Sequence, residues 1–289
     1  MYSMTLKKIT LCLCFLALSF AFQTELFAVS SVKLKAKSAI LVNAATGEIL
    51  YAKNADKLMQ PASLTKILTL YLVHESINEG KIYPSDGVKI STDAYFTSGS
   101  SMYLEDGAEV ELEDLIKGVA VASANDASIA IAEYLGGDVG SFVKKMNAKA
   151  HKLGMSRSYF KNPNGLPAKG QVSTARDIAK LARAYIRDFP ESLNLHAMQS
   201  FTYRNITQTN NNVLLKHYPD VDGLKTGFVG AAGFHLIVTA RRDGTRLIAV
   251  VMGETNPVIR AQEAAKLLDI GFRMTKAGER ASRTSCKCA

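Results

Sequence analysis

Two uninterrupted apolar runs in the last third of the chain constrain its fold more than any other feature. The runs are 234-FHLIVTA-240 and 246-RLIAVVM-252, and the segment between them carries Asp243-Gly244. An Asp-Gly pair between two such runs is a strong signal for a β-hairpin. Because neither run alternates with polar residues, both faces of its strand need to be covered. We therefore expect a sheet that lies between layers of helices.

Hydrophobic periodicity and turn residues predict the remaining elements. Residues 38–54 indicate two strands around the turn 45-ATG-47, so strands from both ends of the chain would join one antiparallel sheet. The sequence thus predicts one α+β domain with helices on both faces of the sheet. The expected helices cover residues 63–78, 111–123, 126–135, 141–153, 177–189 and 257–272, with a turn-rich region at 84–110 and a loop at 162–167.

The charge of the chain narrows the class of partner. The 289 residues carry a formal net charge of +9, but the lysines and arginines are scattered, without a run of five or six and without aromatic interleaving. This pattern argues against nucleic acid as a partner. The net positive charge suits an anionic cell wall and an anionic membrane surface equally well.

The N-terminal segment has the composition of an export signal. Lys7 and Lys8 precede the apolar run 9-ITLCLCFLALSFAF-22, and 26-LFA-28 offers a small residue for cleavage after Ala28. We therefore expect a signal peptide over residues 1–28, with an uncleaved anchor as the alternative. The protein is then exported, to the periplasm or the outer face of the cytoplasmic membrane. The catalytic domain would cover residues 33–273 and a polar tail residues 274–289.

The cysteines lie only at the two ends of the chain. Cys12 and Cys14 belong to the predicted leader, and Cys286 and Cys288 to the last four residues. The Cys-x-Cys spacing is too tight for an easy disulfide, so the last two are expected to be free or intermolecular. A main domain without cysteine suits an exported protein that has no structural disulfides.

The stretch 61-PASLTK-66 places a serine and a lysine at the start of an apolar helix. Residues three apart on a helix share a face, so Ser63 and Lys66 would be neighbours. The helix dipole and the apolar surroundings both disfavour a charge on Lys66. A neutral Lys66 could take the proton of the Ser63 hydroxyl, and free N–H groups at the helix start could bind an oxyanion. The alternative is a capping serine beside a lysine that reaches solvent.

Two further polar motifs could face the same cleft. Ser123-Ala124-Asn125 joins two apolar helices, where Ser123 and Asn125 either point into a cleft or act as ordinary caps. Lys225-Thr226-Gly227 precedes the hairpin, and we expect an edge strand that exposes a cation and a hydroxyl to a carboxylate. Gly227 leaves room for an extended ligand to pair with this strand. The alternative is a polar edge strand followed by a turn.

The order Ser-x-x-Lys, Ser-x-Asn, Lys-Thr-Gly is the signature of penicillin-binding proteins and serine β-lactamases. From about residue 38 to residue 272 the chain resembles one branch of that group. This branch comprises the low-molecular-mass penicillin-binding proteins that are serine-type D-alanyl-D-alanine carboxypeptidases (peptidase family S11). The resembling stretches are 61-PASLTK-66, 122-ASANDA-127, 162-NPNGLP-167, 172-VSTARDIA-179, 201-FTYRNI-206, 222-DGLKTG-227 and 248-IAVVMG-253.

The resemblance implies a β-lactamase/transpeptidase-like fold with a helical subdomain. It implies an enzyme that removes the terminal D-alanine of peptidoglycan stem pentapeptides through an acyl-enzyme, and that β-lactams inhibit covalently. Ser63 would be the nucleophile, Lys66 the general base, and Ser123 the proton relay to the departing amine. The implied substrate-binding residues are Asn125 for the amide, Thr226 and Arg260 for the carboxylate, Gly227 for strand pairing, Lys225 for the proton network, and Phe228, whose backbone N–H would share the oxyanion hole with that of Ser63.

The sequence also departs from the family pattern. Val229 stands where relatives often carry a threonine, so one hydroxyl near the carboxylate site is missing. The segment 273–289 is too polar for an amphipathic membrane helix, so no C-terminal membrane anchor is expected. The histidines show no ligand spacing, and neither a metal nor another cofactor is expected. The alternative functions are a D,D-endopeptidase on peptidoglycan cross-links, a weak β-lactamase, and a non-catalytic wall-binding protein.

Overall fold

The computed structural model describes residues 33–286, with side chains described for residues 33–276. Residues 36–272 form one compact unit, and residues 273–286, which are helical, belong to a second unit. The predicted signal peptide with its two cysteines, Cys288 and the side chain of Cys286 lie outside the described residues.

Strands from both ends of the chain build the main sheet, as the sequence predicts. The order in this five-stranded sheet is β2-β1-β9-β8-β7, and all neighbouring strands are antiparallel. Two smaller sheets pair β3 with β4 and β5 with β6. The strands are β1 (Ser38–Asn43), β2 (Ile49–Lys53), β3 (Gly87–Lys89), β4 (Glu109–Glu111), β5 (Ser200–Tyr203), β6 (Ile206–Thr209), β7 (Val221–Val229), β8 (Gly233–Arg242) and β9 (Thr245–Glu254).

The predicted hairpin is confirmed. Strands β8 and β9 are joined by Asp243 and Gly244, which both have positive φ, at 50° and 83°. Such angles suit the tight turn that matches the twist of the flanking strands. Residues 247–252 of β9 are fully buried, so both faces of the sheet are covered. The last helix covers one face, where Gly271 lies against the side chains of Leu41 and Leu247.

The core helix (Lys66–Asn78) is the buried helix of the unit 36–272. Its residues from Lys66 to Val73 are all buried, which confirms the prediction of a helix that is apolar all round. Ser63 lies just before it, in a tight 3₁₀ turn over Ala62–Thr65. The other helices are Thr92–Tyr95, Leu112–Lys117, Asn125–Gly136, Val139–Lys152, Ala175–Asp188, Ser192–His196, Leu214–His217 and Pro257–Cys286.

A helical layer lies beside the core helix. The helices Asn125–Gly136 and Val139–Lys152 pack on each other and on the core helix. Leu112–Lys117 packs against the first of these, and its continuation, Gly118–Ala122, is a turn of π-helix. This layer corresponds to the expected helical subdomain, and it carries the second sequence motif at its inner end.

Two predicted helices differ from the structure, and two short sheets were not predicted. The helix predicted over 111–123 changes to π geometry at Gly118, and the closing helix predicted to end at 272 continues to Cys286. The short sheets β3-β4 and β5-β6 were not predicted, because their strands are three or four residues long and largely exposed. In residues 33–286, no helix combines the length and apolar character needed to cross a bilayer.

Candidate active site

A cleft of about 1210 Å³ brings together the three motifs that the sequence analysis singled out. Its wall contains Ser63 from the first motif, Ser123 and Asn125 from the second, and Thr226 and Gly227 from the third. Phe228 and Arg260 line the same cleft. Lys66 and Lys225 do not line it, because both side chains are buried beneath its surface.

The first motif has the geometry expected of a nucleophile and its base. Nζ of Lys66 lies 3.0 Å from Oγ of Ser63, within hydrogen-bond distance. The 3₁₀ turn places Ser63 half-buried at the cleft surface, while Lys66 is fully buried at the start of the core helix. Ala62 has a positive φ of 51°, which turns the chain just before the serine. The predicted neighbourhood of the two side chains is confirmed.

Two further acceptors surround the Lys66 amine. Nζ donates to Oδ1 of Asn125 at 2.7 Å and to the backbone carbonyl of Asn164 at 2.6 Å. A neutral amine has two N–H groups and one lone pair. The two N–H groups match these two acceptors, and the lone pair is left for the hydroxyl of Ser63. The geometry is therefore that of a base ready to accept the serine proton.

Burial and a second cation both favour this neutral form. Burial lowers the pKa of Lys66 well below its usual value, and the positive charge of Lys225 lowers it further. The carboxylate of Asp126 acts in the opposite direction and raises the pKa of Lys66. Asp126 is engaged elsewhere, since it accepts hydrogen bonds from Ser101 Oγ at 2.6 Å and from Met102 N–H at 3.1 Å. Burial and the charge of Lys225 therefore act in the same direction on the Lys66 pKa.

The Asn164 carbonyl is a part of the site that no sequence motif identified, although it lies in the stretch 162-NPNGLP-167. Asn162 shapes this loop by accepting the N–H of Gly165 at 2.8 Å. Gly165 has a φ of 84°, and a β-carbon there would lie 2.0 Å from the carbonyl oxygen of Ala62. The loop therefore packs directly on the turn that carries Ser63. The turn-forming residues of this stretch are the signal that could have identified it.

The second motif lies where the π turn meets the helix Asn125–Gly136. Ser123 is only 5% exposed and has a left-handed conformation, with φ 61° and ψ 29°. A non-glycine residue in that region is strained, so its conformation depends on the packing around it. Asn125 donates from Nδ2 to the carbonyl of Ser98 at 2.8 Å and accepts from Lys66 through Oδ1. The motif thus connects the loop at 98–101 to the Lys66 amine.

The third motif lies on β7, the edge strand of the main sheet. Thr226 and Gly227 line the cleft, as predicted. The prediction that this strand exposes its cation is wrong. The Lys225 side chain is buried, with only 3% of its surface exposed. Burial and the nearby Arg260 lower the pKa of Lys225 to about 7. A β-carbon on Gly227 would lie 3.2 Å from Ser63 N, so the glycine lets the strand approach the turn that carries Ser63.

Arg260 and Phe228 complete the wall beside β7. Arg260 is 5% exposed and donates to the carbonyls of His235 at 3.4 Å and Asn211 at 3.3 Å, while its Nε has no partner. Burial lowers the pKa of Arg260 to about 10, so it is still a cation at neutral pH. The side chain of Phe228 is half-exposed and lies on Phe234, with ring centroids 4.3 Å apart.

Val229 adds no polar group to the site. Val229 packs with Ala62 and Ala232 in a small apolar cluster, where a threonine would bring a hydroxyl. Among the described residues there is no group of three or more His, Cys, Asp or Glu side chains that could hold a metal ion.

Comparisons with known proteins agree with this geometry. A family model described as D-alanyl-D-alanine carboxypeptidase (Peptidase_S11) matches residues 25–256. The chain is 41% identical over 249 residues to D-alanyl-D-alanine carboxypeptidase DacF of Bacillus subtilis (strain 168) and 43% identical over 252 residues to D-alanyl-D-alanine carboxypeptidase DacC of Escherichia coli (strain K12). The matches cover 84% and 85% of this chain, and they span 64% and 63% of the length of the two relatives.

Solved structures give the same result. The crystal structure of penicillin binding protein 5 from Haemophilus influenzae is similar, with a TM-score of 0.82 and 38% sequence identity. The likeness covers 84% of this chain and 72% of that one.

Proposed function

The chain belongs to the peptidase family S11, the D-alanyl-D-alanine carboxypeptidases, and from this we propose that it removes the terminal D-alanine of peptidoglycan stem pentapeptides. The observation that carries the proposal is the buried Lys66 amine, 3.0 Å from the Ser63 hydroxyl and hydrogen-bonded to two acceptors. An uncharged amine in that position is a base for a serine nucleophile.

Acylation then proceeds in the cleft. Lys66 takes the proton of Ser63, and Oγ attacks the carbonyl carbon of the D-alanyl-D-alanine bond. The backbone N–H groups of Ser63 and Phe228 hold the negative oxygen of the intermediate. Ser123 passes a proton to the nitrogen of the departing D-alanine, the C–N bond breaks, and an acyl-enzyme remains. Lys66 then activates a water molecule that releases the shortened peptide.

The proposed substrate contacts follow from charge and position. The terminal carboxylate binds to Thr226 and to the Arg260 guanidinium, which both line the cleft. The peptide lies along the edge of β7, where Gly227 provides no side chain that would block strand pairing. Asn125 holds the substrate amide, and Lys225 supports the proton network while it lowers the pKa of Lys66.

The same site is proposed to react with β-lactams, since relatives are penicillin-binding proteins by name. We also propose that the chain is exported, with residues 1–28 as its signal peptide, residues 33–273 as the catalytic domain and residues 274–289 as a polar tail. Its place would be the periplasm or the outer face of the cytoplasmic membrane. The family's cell-wall substrate supports this location.

Labelling with a fluorescent penicillin tests the nucleophile. We expect covalent labelling of the purified protein and slow release of the label. Ser63→Ala should abolish labelling, and Ser158→Ala is the matched control, because Ser158 belongs to another Ser-x-x-Lys copy that lies outside the cleft. Labelling that persists in Ser63→Ala would refute the assignment. Release of D-alanine from a diacyl-D-Ala-D-Ala peptide, with loss in the same variant, tests the activity itself.

A further inference from the structure

The cleft extends well beyond the part that the proposed reaction uses. Its volume of about 1210 Å³ exceeds the roughly 300–1,000 Å³ of a typical small-molecule site. D-alanine is one of the smallest amino acids, and its carboxylate is proposed to end at Thr226 and Arg260. The lining nevertheless also includes Lys216 and His217 of the segment 211–217, and Gln262 and Ala265 of the last helix.

This extension lies on the side of the leaving group. Nη2 of Arg260 donates to the carbonyl of Asn211 at 3.3 Å, which fixes the start of the segment 211–217 beside the carboxylate position. Lys216 and His217 end the short helix in that segment. Gln262 follows Arg260 on the last helix. A group that reaches these residues must therefore belong to the part of the substrate that departs, beyond its first carboxylate.

The charges of the extension favour an anion. The cleft lining contains three basic residues, Lys216, His217 and Arg260, and no aspartate or glutamate. Within the described part of the chain, the Lys216 side chain makes no hydrogen bond or salt bridge to any residue. The nearby carboxylate of Asp220 is paired with Arg242 at 2.7 Å and does not neutralise Lys216.

We propose that Lys216, His217 and Gln262 form a second anion subsite, which binds a carboxylate carried by a leaving group larger than D-alanine. The ligand class is an acidic D-amino acid or a peptide, such as the second stem peptide of a peptidoglycan cross-link. The inference rests on the proposed function and assigns its leaving-group preference. The chemistry is unchanged: Ser63 Oγ bonds to the D-alanyl carbon, the C–N bond breaks, the serine proton goes to the departing nitrogen, and water later cleaves the ester.

A pair of isosteric substrates tests the subsite. In diacyl-D-Ala-D-Glu the leaving residue carries a second carboxylate, and in diacyl-D-Ala-D-Gln that carboxylate is a neutral amide. We expect the protein to prefer the D-Glu peptide about 3- to 5-fold in kcat/KM, the size expected for one solvent-exposed ion pair. Lys216→Gln should abolish this preference, and Lys216→Glu should reverse it. For diacyl-D-Ala-D-Ala, kcat/KM should stay within twofold in both variants.

Lys144→Gln is the matched control, because Lys144 is an exposed lysine on the helix Val139–Lys152 and lies outside the cleft. It changes the net charge equally and should leave the preference intact. The subsite is overturned if the unchanged protein shows no D-Glu preference, or if the preference survives in both Lys216 variants. In either case D-Ala-D-Ala hydrolysis and penicillin labelling would still support the proposed function. If the unchanged protein shows neither hydrolysis nor labelling, the subsite and the proposed function are both overturned. As a second readout, release of monomers from a cross-linked muropeptide dimer should fall in Lys216→Glu.

Discussion

Nζ of Lys66 and Oδ1 of Asn125 are 2.7 Å apart, although 59 positions separate the two residues in the chain. Asn125→Asp keeps the acceptor and adds a negative charge to it. An opposite charge at this distance raises the pKa of the lysine by about 1–3 units. We expect the rate of acylation by penicillin at pH 7 to fall about 10-fold or more, and to recover as the pH rises and Lys66 loses its proton.

The control for this prediction is Asn125→Ala, which removes the acceptor without adding a charge. Its acylation rate should fall at every pH, without an upward shift of the midpoint of the pH profile. If the midpoint for Asn125→Asp equals that of the unchanged protein, the asparagine does not control the protonation of Lys66.

Lys225 should reduce the stability of the folded protein at neutral pH. Its pKa is lowered from 10.5 to about 7 by burial and by Arg260, so between these values the unfolded chain binds a proton that the folded chain does not. The unfolding free energy therefore rises with pH across that window. The loss of stability caused by Lys225 is fully present below pH 7. We expect Lys225→Met to be more stable by about 2–4 kcal/mol at pH 7, because a tenfold change in proton affinity corresponds to about 1.4 kcal/mol.

Urea unfolding at several pH values measures this effect. The difference between Lys225→Met and the unchanged protein should shrink as the pH approaches 10.5, and acylation by penicillin should be lost throughout. Lys144→Met, at an exposed site, should change the unfolding free energy by no more than about 0.5 kcal/mol at any pH. A Lys225→Met gain that is the same at pH 7 and pH 10 would contradict the depressed pKa.

Gly165 should be sensitive to the smallest substitution. In Gly165→Ala the new methyl group would lie 2.0 Å from the Ala62 carbonyl oxygen, and the backbone φ of 84° adds strain. Either the loop with Asn164 or the turn with Ser63 then has to move. We expect a loss of stability of about 3 kcal/mol or more, from strain and overpacking together, and a large loss of acylation rate.

Gly154→Ala separates the effect of backbone strain from the effect of the contact with Ala62. Gly154 has a similar φ of 72°, but no atom would lie within 4 Å of its new methyl group. This variant should lose only about 1 kcal/mol from backbone strain and keep its acylation rate. Equal losses in the two variants, measured by urea unfolding, would show that the contact with Ala62 is unimportant.

A buried carboxyl pair predicts a second pH effect on stability. Glu254 is 2% exposed, and burial together with the neighbouring Glu263 raises its pKa from 4.5 to about 7. Between these values the folded chain holds a proton that the unfolded chain has lost. The unfolding free energy therefore falls as the pH rises from 4.5 to 7, and the penalty is complete above pH 7.

We expect Glu254→Gln to be more stable than the unchanged protein above pH 7 and nearly equal to it below pH 4.5. Thermal unfolding at pH 4.5, 6 and 8 measures the difference. Glu48→Gln, at an exposed position, should show no such trend. A stability difference that grows toward acid pH would rule out the raised pKa.

Much of the fold could be predicted because long elements carry their own signals. The hairpin at Asp243-Gly244 and the core helix each have a continuous apolar pattern and a turn residue at the end. The β5-β6 hairpin has a turn residue, Asn205, whose φ is 65°, but it has no continuous apolar pattern. Its strands are four residues long and mostly exposed, so packing on the rest of the molecule decides its conformation rather than a local pattern.

The sequence by itself determined that Ser63 and Lys66 are neighbours, because helical turns depend on residues a few positions apart. Only the tertiary structure decided the surroundings of the Lys66 amine, which suit the base that we propose. The carbonyl of Asn164, 98 positions away, holds its amine at 2.6 Å, and Lys225 is buried close enough to lower its pKa. A backbone carbonyl has no residue type to recognise in a sequence. Desolvation depends on every atom packed around a group, and those atoms come from all parts of the chain.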